Sequence, residues 1–219
     1  PYEGGKRAVA ESSRNVVCTG AKPIAITNCL NFGNPQDPEV YWQFKKAVEG
    51  IGEACKVLNT PVTGGNVSFY NETNDSSIYP TPVIGMVGLM EDVSHSTTID
   101  YKEPGDIILC IGNLTGEFGG SEYLKVIHGE VKGPISTLDL AQEVAVQEVC
   151  LESIQSGYIK SAHDISDGGL AVNIAESILS SAGSIGAEIH ITSKIRTDLL
   201  LFGESQSVII VTVSKENLH

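Results

Sequence analysis

Apolar residues along this chain fall in two kinds of run. Short, nearly uninterrupted stretches at residues 23–27 (PIAIT), 82–89 (PVIGMVGL), 107–111 and 207–213 (SVIIVTV) predict buried strands. Elsewhere the spacing is helical. Val40, Phe44, Ala47, Val48, Ile51, Ala54, Cys55 and Leu58 predict an amphipathic helix that starts after the turn signals Asn34-Pro35 and Asp37-Pro38. Leu170, Ala171, Ile174, Ala175, Ile178, Leu179 and Ala182 predict a second, with Ser166 or Asp167 as its cap. Residues 3–17 are rich in helix formers but weak in period. Further helices are expected at 121–128 and from about Thr137 to Ser156, and further strands at 159–162 and 186–191. Gly64-Gly65 reads as a glycine turn at or near a strand, and residues 71–77 as a polar loop.

The polar stretch 91–104, closed by Pro104-Gly105, places a boundary between two units, 1–102 and 103–219. Mixed strands and helices in both make the fold class α/β or α+β. Among 219 residues 23 are glycine, clustered between apolar runs, so glycine marks tight turns and not a low-complexity tract.

Charge narrows the function. The 27 acidic and 14 basic residues give a formal net charge of -13, which argues against a nucleic acid partner, whose backbone is held by clustered Lys and Arg. No run reaches the roughly 18 to 20 apolar residues of a membrane span, and no signal-peptide order opens the chain, so no membrane is expected. Cys18, Cys29, Cys55, Cys110 and Cys150 are odd in number and include no C-x-x-C pair, which disfavours disulfides and a zinc site and suits the cytoplasm.

Four segments carry candidate chemistry. In residues 27–35, Asn28 and Asn31 follow the first strand, where an amide that both donates and accepts could meet a nucleotide, or could satisfy its own turn. Gly64-Gly65-Asn66-Val67-Ser68 could let backbone N–H groups approach an anion, with Asn66 offering oxygen to Mg²⁺ and Ser68 a hydroxyl to phosphate or substrate; an ordinary glycine turn is the alternative. Gly119-Gly120-Ser121-Glu122 could present a helix N-terminus to phosphate, or Ser121 could simply cap it. Residues 163–169 (HDISDGG) place Asp164 and Asp167 where two carboxylates could suit Mg²⁺ or serve a helix start. His95, His128, His190 and His219 lack a companion at metal-ligand spacing, so surface or packing roles are expected. Glu204-Ser205-Gln206 reads equally as cleft or polar turn, and Tyr41 and Trp42 as packing.

Taken in order, NCLNFGNP (28–35), EVYWQF (39–44), GGNVSFYNET (64–73), PTPVIGMVG (80–88), GGSEY (119–123) and HDISDGGLA (163–171) resemble the phosphoribosylformylglycinamidine synthase family, in the second half of its synthetase subunit. The first and third strings disfavour thiamine phosphate kinase and selenophosphate synthetase relatives. The resemblance implies a two-domain aminoimidazole ribonucleotide synthetase-like unit whose N-terminal domain has an incomplete sheet. It implies an ATP-dependent amidoligase of purine synthesis in which formylglycinamide ribonucleotide is phosphorylated on its amide oxygen and ammonia from a glutaminase displaces phosphate. Carried over by position, Asn28 and Gly65 bind nucleotide, Asn66 magnesium and Ser68 substrate, while Asp164 is a further metal candidate. Family members often carry Asp where Asn28 stands. The family's catalytic histidine lies in the preceding unit, so no catalytic residue is expected here and the chain is expected to be a fragment, inactive alone, that needs the first half of the same polypeptide. An incomplete sheet would leave an edge suited to a partner, and a homodimer is plausible. An auxiliary half that holds nucleotide without chemistry is the competing expectation.

Overall fold

The computed structural model describes residues 1–73, 76–183 and 185–218; His219 and the middle of the expected 71–77 loop lie outside the described residues. Helix α1 (Tyr2–Cys18) explains its own weak hydrophobic period. Its buried positions are Gly5, Lys6, Val9, Ala10, Ser13, Arg14, Val17 and Cys18. They recur at helical spacing, but half of them are Gly, Lys, Ser or Arg, so a regular buried stripe reads as irregular hydropathy.

Strand β1 (Lys22–Asn31) is longer than its apolar run predicts. It is followed by α2 (Pro38–Val57), whose first turn is capped where Asp37 Oδ1 accepts the Glu39 N–H at 2.8 Å and Pro38 takes the position that needs no donor. The two helices approach closely at glycines, since a Cβ on Gly5 would sit 2.6 Å from the Ala47 carbonyl oxygen. Strand β2 (Val62–Ser68) pairs parallel with β1. After the small hairpin β3 (Glu72–Thr73) and β4 (Ser76–Ser77), strand β5 (Thr81–Leu89) pairs antiparallel on the other side of β1, giving the order β2-β1-β5. Ile26 and Leu30 face α1 and α2 in a core with Val9, Ala10, Val40 and Ile51. The opposite face is uncovered: Val83 is 52% and Val87 53% exposed. The expectation of a strand buried on both sides at 82–89 therefore holds for only one face.

The second sheet contains β6 (Ile107–Ile111), β7 (Ile159–Asp164) and β8 (Ile209–Val213) in the order β6-β8-β7, with both pairings antiparallel. Central β8 is buried along its whole length. Around it lie α3 (Glu122–His128), α4 (Leu140–Gln155), α5 (Gly169–Leu179) and the short α6 (Thr197–Phe202), which its sequence did not announce. Helix α4 starts later than expected because Asp139 Oδ1 accepts from the Ala141 and Gln142 N–H groups. Helix α5 is entered through Gly168, and neither Ser166 nor Asp167 caps it. Residues 186–191 alternate like a strand but pair with none among the described residues, so the expected strand is corrected to irregular chain. Alternation suits a pleated surface but does not supply a ladder partner.

Helix α1 ties the two sheets together. Val9 and Ala10 belong to the first core, whereas Val17 and Cys18 pack with Val146, Cys150, Ile159 and Val211 of the second. Between them the fully buried Arg14 donates from Nη1 to Glu143 Oε2 at 2.9 Å, lies 3.5 Å through Nε from Asp164 Oδ2, and donates from Nη2 to Gln206 Oε1 at 3.3 Å. Gln147 donates to the other Glu143 oxygen at 2.6 Å and accepts from Ser13 Oγ at 2.6 Å. Burial opposes the guanidinium charge, but Glu143 and Asp164 beside it hold its pKa above the ordinary value.

The segment Glu204-Ser205-Gln206-Ser207 is not a loose turn. Glu204 Oε1 accepts from the Glu122 N–H at 2.8 Å and the Gly168 N–H at 3.0 Å, joining the starts of α3 and α5. Ser205 Oγ accepts from the N–H groups of Thr115 at 2.9 Å and Gly116 at 3.3 Å, and Ser207 Oγ donates to Glu143 Oε2 at 2.5 Å.

Arg14→Met should lower the unfolding free energy by about 3–5 kcal/mol, because it strands two buried carboxylates; denaturant titration measures this, and a loss below about 1 kcal/mol, the range of an exposed pair, would contradict it. Glu204→Ala should cost about 1–3 kcal/mol by leaving two helix-start amides unpaired, whereas Glu204→Gln keeps an acceptor and should cost less. Burial raises the Glu204 carboxyl above its ordinary pKa, so folding favours the neutral form and this contribution fades as pH rises through the raised value. The melting temperature of the unsubstituted chain relative to Glu204→Gln should therefore rise as pH is lowered from about 7 to about 5.

Candidate nucleotide and substrate site

The amide-bearing segment and the diglycine segment lie side by side on β1 and β2. In register, Asn28 pairs with Gly65, Cys29 with Asn66, Leu30 with Val67 and Asn31 with Ser68. Two expectations are corrected here. Asn28 and Asn31 lie within β1 and not in a loop after it, and Gly64-Gly65 is strand and not a turn. The glycine at 65 is demanded by geometry: its φ is +142°, and a Cβ would fall 2.6 Å from Asn28 Oδ1 and closer still to the Asn28 carbonyl oxygen. Gly65 thus lets the Asn28 amide lie against the neighbouring strand.

Strand alternation divides these residues between two faces. Asn28, between buried Ile26 and Leu30, belongs to the helix-covered face, and Gly65 pairs with it there. Asn66 and Ser68 share the open face with Cys29 and Asn31. The Asn31 amide donates to the Thr81 carbonyl at 3.2 Å, and the Ser68 hydroxyl meets Asn71 Oδ1 at 3.3 Å. Four of the five candidate residues are therefore neighbours in one sheet, but no single face gathers them. Two cavities, of about 580 and 270 Å³, lie elsewhere: one is lined by Leu109, Leu170, Ile174 and Ile189, and the other by Val17, Leu58 and Gln147.

Asp164 is apart from the other four. It ends β7, is 1% exposed and faces Arg14; burial raises its carboxyl pKa, against the pull of Arg14 and His163. Among the described residues no group of three or more His, Cys, Asp or Glu is placed to hold a metal. Asn66 offers a single neutral oxygen, which suits an ion already carried by phosphate oxygens and does not make a resident Mg²⁺ site.

Neither helix start is a free phosphate site as it stands. Ser121 Oγ accepts from the Leu124 N–H at 3.3 Å, and the Glu122 and Gly168 amides are taken by Glu204. Burial raises the Glu11 carboxyl, with Asp164, Asp167 and Glu204 adding to the rise against the pull of Arg14, and Asp167 and Glu122 add to the burial that raises Glu204. His163 Nε2 lies 2.9 Å from Glu176, and His190 pairs with Glu188 on the surface. Tyr41 and Trp42 are 55% and 50% exposed, so the packing expected of them covers only part of each ring. Arg14, Glu143 and Asn71 were not singled out from sequence. Arg14 leaves a faint signal, as it stands four residues after Ala10 on the stripe shared with Lys6.

The family model for the AIR synthase related protein N-terminal domain matches residues 1–90, and that for the AIR synthase related protein C-terminal domain matches residues 103–219. The chain is similar to the phosphoribosylformylglycinamidine synthase subunit PurL of Alkaliphilus metalliredigens, 52% identical over 219 residues, and of Moorella thermoacetica, 54% identical over 216 residues. These alignments cover 100% and 99% of this chain but 29% of each relative, so the chain spans about 29% of the length of the curated relatives it matches. Its fold is similar to that of Thermotoga maritima PurL complexed with FGAR, with a TM-score of 0.77 and 22% identity over 99% of this chain and 36% of that one. It is also similar to hydrogenase maturation protein HypE in complex with ATP, with a TM-score of 0.63 and 18% identity over 98% of this chain and 64% of that one. The expected α/β architecture is borne out, and with the C-terminal model alone covering more than half of its residues, the chain belongs to the AIR synthase related protein family.

Proposed function

We propose that this chain is part of the synthetase subunit of phosphoribosylformylglycinamidine synthase, the ATP-dependent ligase that converts formylglycinamide ribonucleotide and ammonia to formylglycinamidine ribonucleotide, ADP and phosphate. The observation that carries the proposal is 52–54% identity to PurL subunits over essentially the whole chain, beside a β1–β2 register that pairs Asn28 with Gly65 and sets Asn66 and Ser68 on the adjoining open face. Likeness in fold to PurL complexed with AMPPCP and with FGAR supports a nucleotide and a ribonucleotide as ligands.

In this reading Asn28 and Gly65 contact the nucleotide. Asn66 gives its amide oxygen to a magnesium ion held mainly by phosphate oxygens, and Ser68 meets the substrate. Bound magnesium would neutralise charge between the nucleotide and substrate oxygens. Asp164 would join a metal site only if Arg14 moved away from it. The units 1–102 and 103–219 act as two domains. The uncovered face and free edges of the β2-β1-β5 sheet suit a further sheet, supplied by another part of a longer polypeptide or by a second copy. Ammonia would come from a glutaminase partner. No helix among the described residues is long and apolar enough to cross a membrane, and all five cysteines are free, which supports a cytoplasmic setting.

A second reading has one observation in its favour. Around Asn66 and Ser68 the register partners on the open face are Cys29 and Asn31, with no carboxylate or imidazole among them to move a proton. That suits a half that holds nucleotide while chemistry occurs elsewhere.

The full-length subunit supplied with ATP, Mg²⁺, ammonia and formylglycinamide ribonucleotide should release phosphate only when the ribonucleotide is present. Gly65→Ala should lower that release by about 10- to 100-fold by displacing Asn28. Labelled ATP that stays bound and unconsumed through many turnovers would favour the second reading, and undiminished release by Gly65→Ala would remove this strand pair from the site.

A further inference from the structure

We infer that Asn71 is a positioning residue that fixes the direction of the Ser68 hydroxyl, so that Ser68 presents its oxygen lone pairs to an N–H or O–H donor of the substrate. The inference rests on the reading of Ser68 as a substrate contact and adds to it the residue that aims the hydroxyl and the polarity of group it recognises.

Strands β1 and β2 end together at the pair Asn31 and Ser68, and the Phe32 N–H donates to the Ser68 carbonyl at 3.0 Å. The chain then turns sharply. Tyr70 takes a left-handed conformation with φ 60°, unusual for a bulky residue, and its N–H donates to the Gly33 carbonyl at 2.9 Å. This turn folds Asn71 back over both strand ends. Its backbone N–H donates to the Phe32 carbonyl at 3.2 Å, and its carbonyl accepts from the Ile78 N–H at 3.1 Å.

The side chain has two N–H bonds and three acceptors within reach. Nδ2 lies 2.9 Å from the Phe32 carbonyl oxygen, 3.0 Å from the Ser68 carbonyl oxygen and 3.2 Å from Ser68 Oγ. The two carbonyls are nearer and take the two hydrogens. Asn71 Oδ1 is then free to accept the Ser68 hydroxyl proton, at 3.3 Å. A hydroxyl that donates inward has only lone pairs left to offer outward. Formylglycinamide ribonucleotide carries amide N–H and hydroxyl O–H donors that suit it. The Asn71 amide is itself held by both strand ends, so it orients Ser68 without touching the ligand.

The test is a double-mutant cycle in the full-length subunit, with KM for formylglycinamide ribonucleotide, KM for ATP and kcat measured separately. Asn71→Ala and Ser68→Ala should each raise the ribonucleotide KM by about 5- to 10-fold, the loss of one hydrogen bond, with the ATP KM changed by less than about 2-fold. The double variant should be no worse than Ser68→Ala alone. Asn71→Asp keeps an oxygen for the Ser68 proton but loses the two N–H donors that hold the amide against the Phe32 and Ser68 carbonyls, so it should raise the ribonucleotide KM at least as far as alanine; in a Ser68→Ala background neither substitution should add to that KM, a comparison that also covers the case in which the alanine variant folds poorly. Additive effects, equal rises in both KM values, or an aspartate variant with the unsubstituted ribonucleotide KM would overturn the inference while leaving Ser68 in place. An unchanged ribonucleotide KM in Ser68→Ala would instead remove the reading of Ser68, and the inference with it.

Discussion

Arg14 is the residue on which the rest of this structure depends. A guanidinium taken wholly out of water must be matched by charges and acceptors, and Glu143 of α4, Asp164 of β7 and Gln206 of the segment before β8 supply them. Helix α1 belongs by sequence to the first unit but contributes Val17 and Cys18 to the core around β8. The two sheets are therefore held in one relation by a charge that cannot be left unpaired and by a helix with apolar residues in both cores. The cost of failing to meet Arg14 is what makes the arrangement specific.

The same need to satisfy buried groups explains the 204–207 segment. Each of its four side chains meets a different neighbour: the starts of α3 and α5, the backbone after Leu114, Arg14, and Glu143. Amides at a helix start attract acceptors and anions, and here the Glu204 carboxyl takes that place. A phosphate would have to displace it. That moves attention to β1 and β2, where exposed amides and a hydroxyl lie along strands left bare on one side.

That bareness follows from the sheet itself. Three strands with helices on one face bury Ile26 and Leu30, partly cover Ile84 and Met86, and leave Val83 and Val87 in water. The chain spans about 29% of its curated relatives' length, and among the described residues no further strand pairs with the outer edges of β2 and β5. The candidate site, split between the two faces of this sheet, has the same character: it offers hydrogen-bonding groups and little with which to move protons.

The sequence by itself determined the elements whose signals are local. The period of α2, the Asp37-Pro38 turn signal before it, and the apolar runs of β5, β6 and β8 are set by residues a few positions apart, and they were legible. The ordered strings around Asn28 and Gly65 likewise pointed to the family and to the residues worth examining. Tertiary structure decided everything that needs a distant partner. Asn28 is strand and not loop because Gly65 and Ile84 lie on either side of it, whereas residues 186–191 alternate correctly yet have no strand to pair with among the described residues. Whether Glu204 was a ligand group or a brace, and whether Arg14 lay in water or in the core, could not be read from their neighbours in the chain. Their hydrogen-bond partners are 36 to 192 residues away, and burial of a charge depends on what stands opposite it.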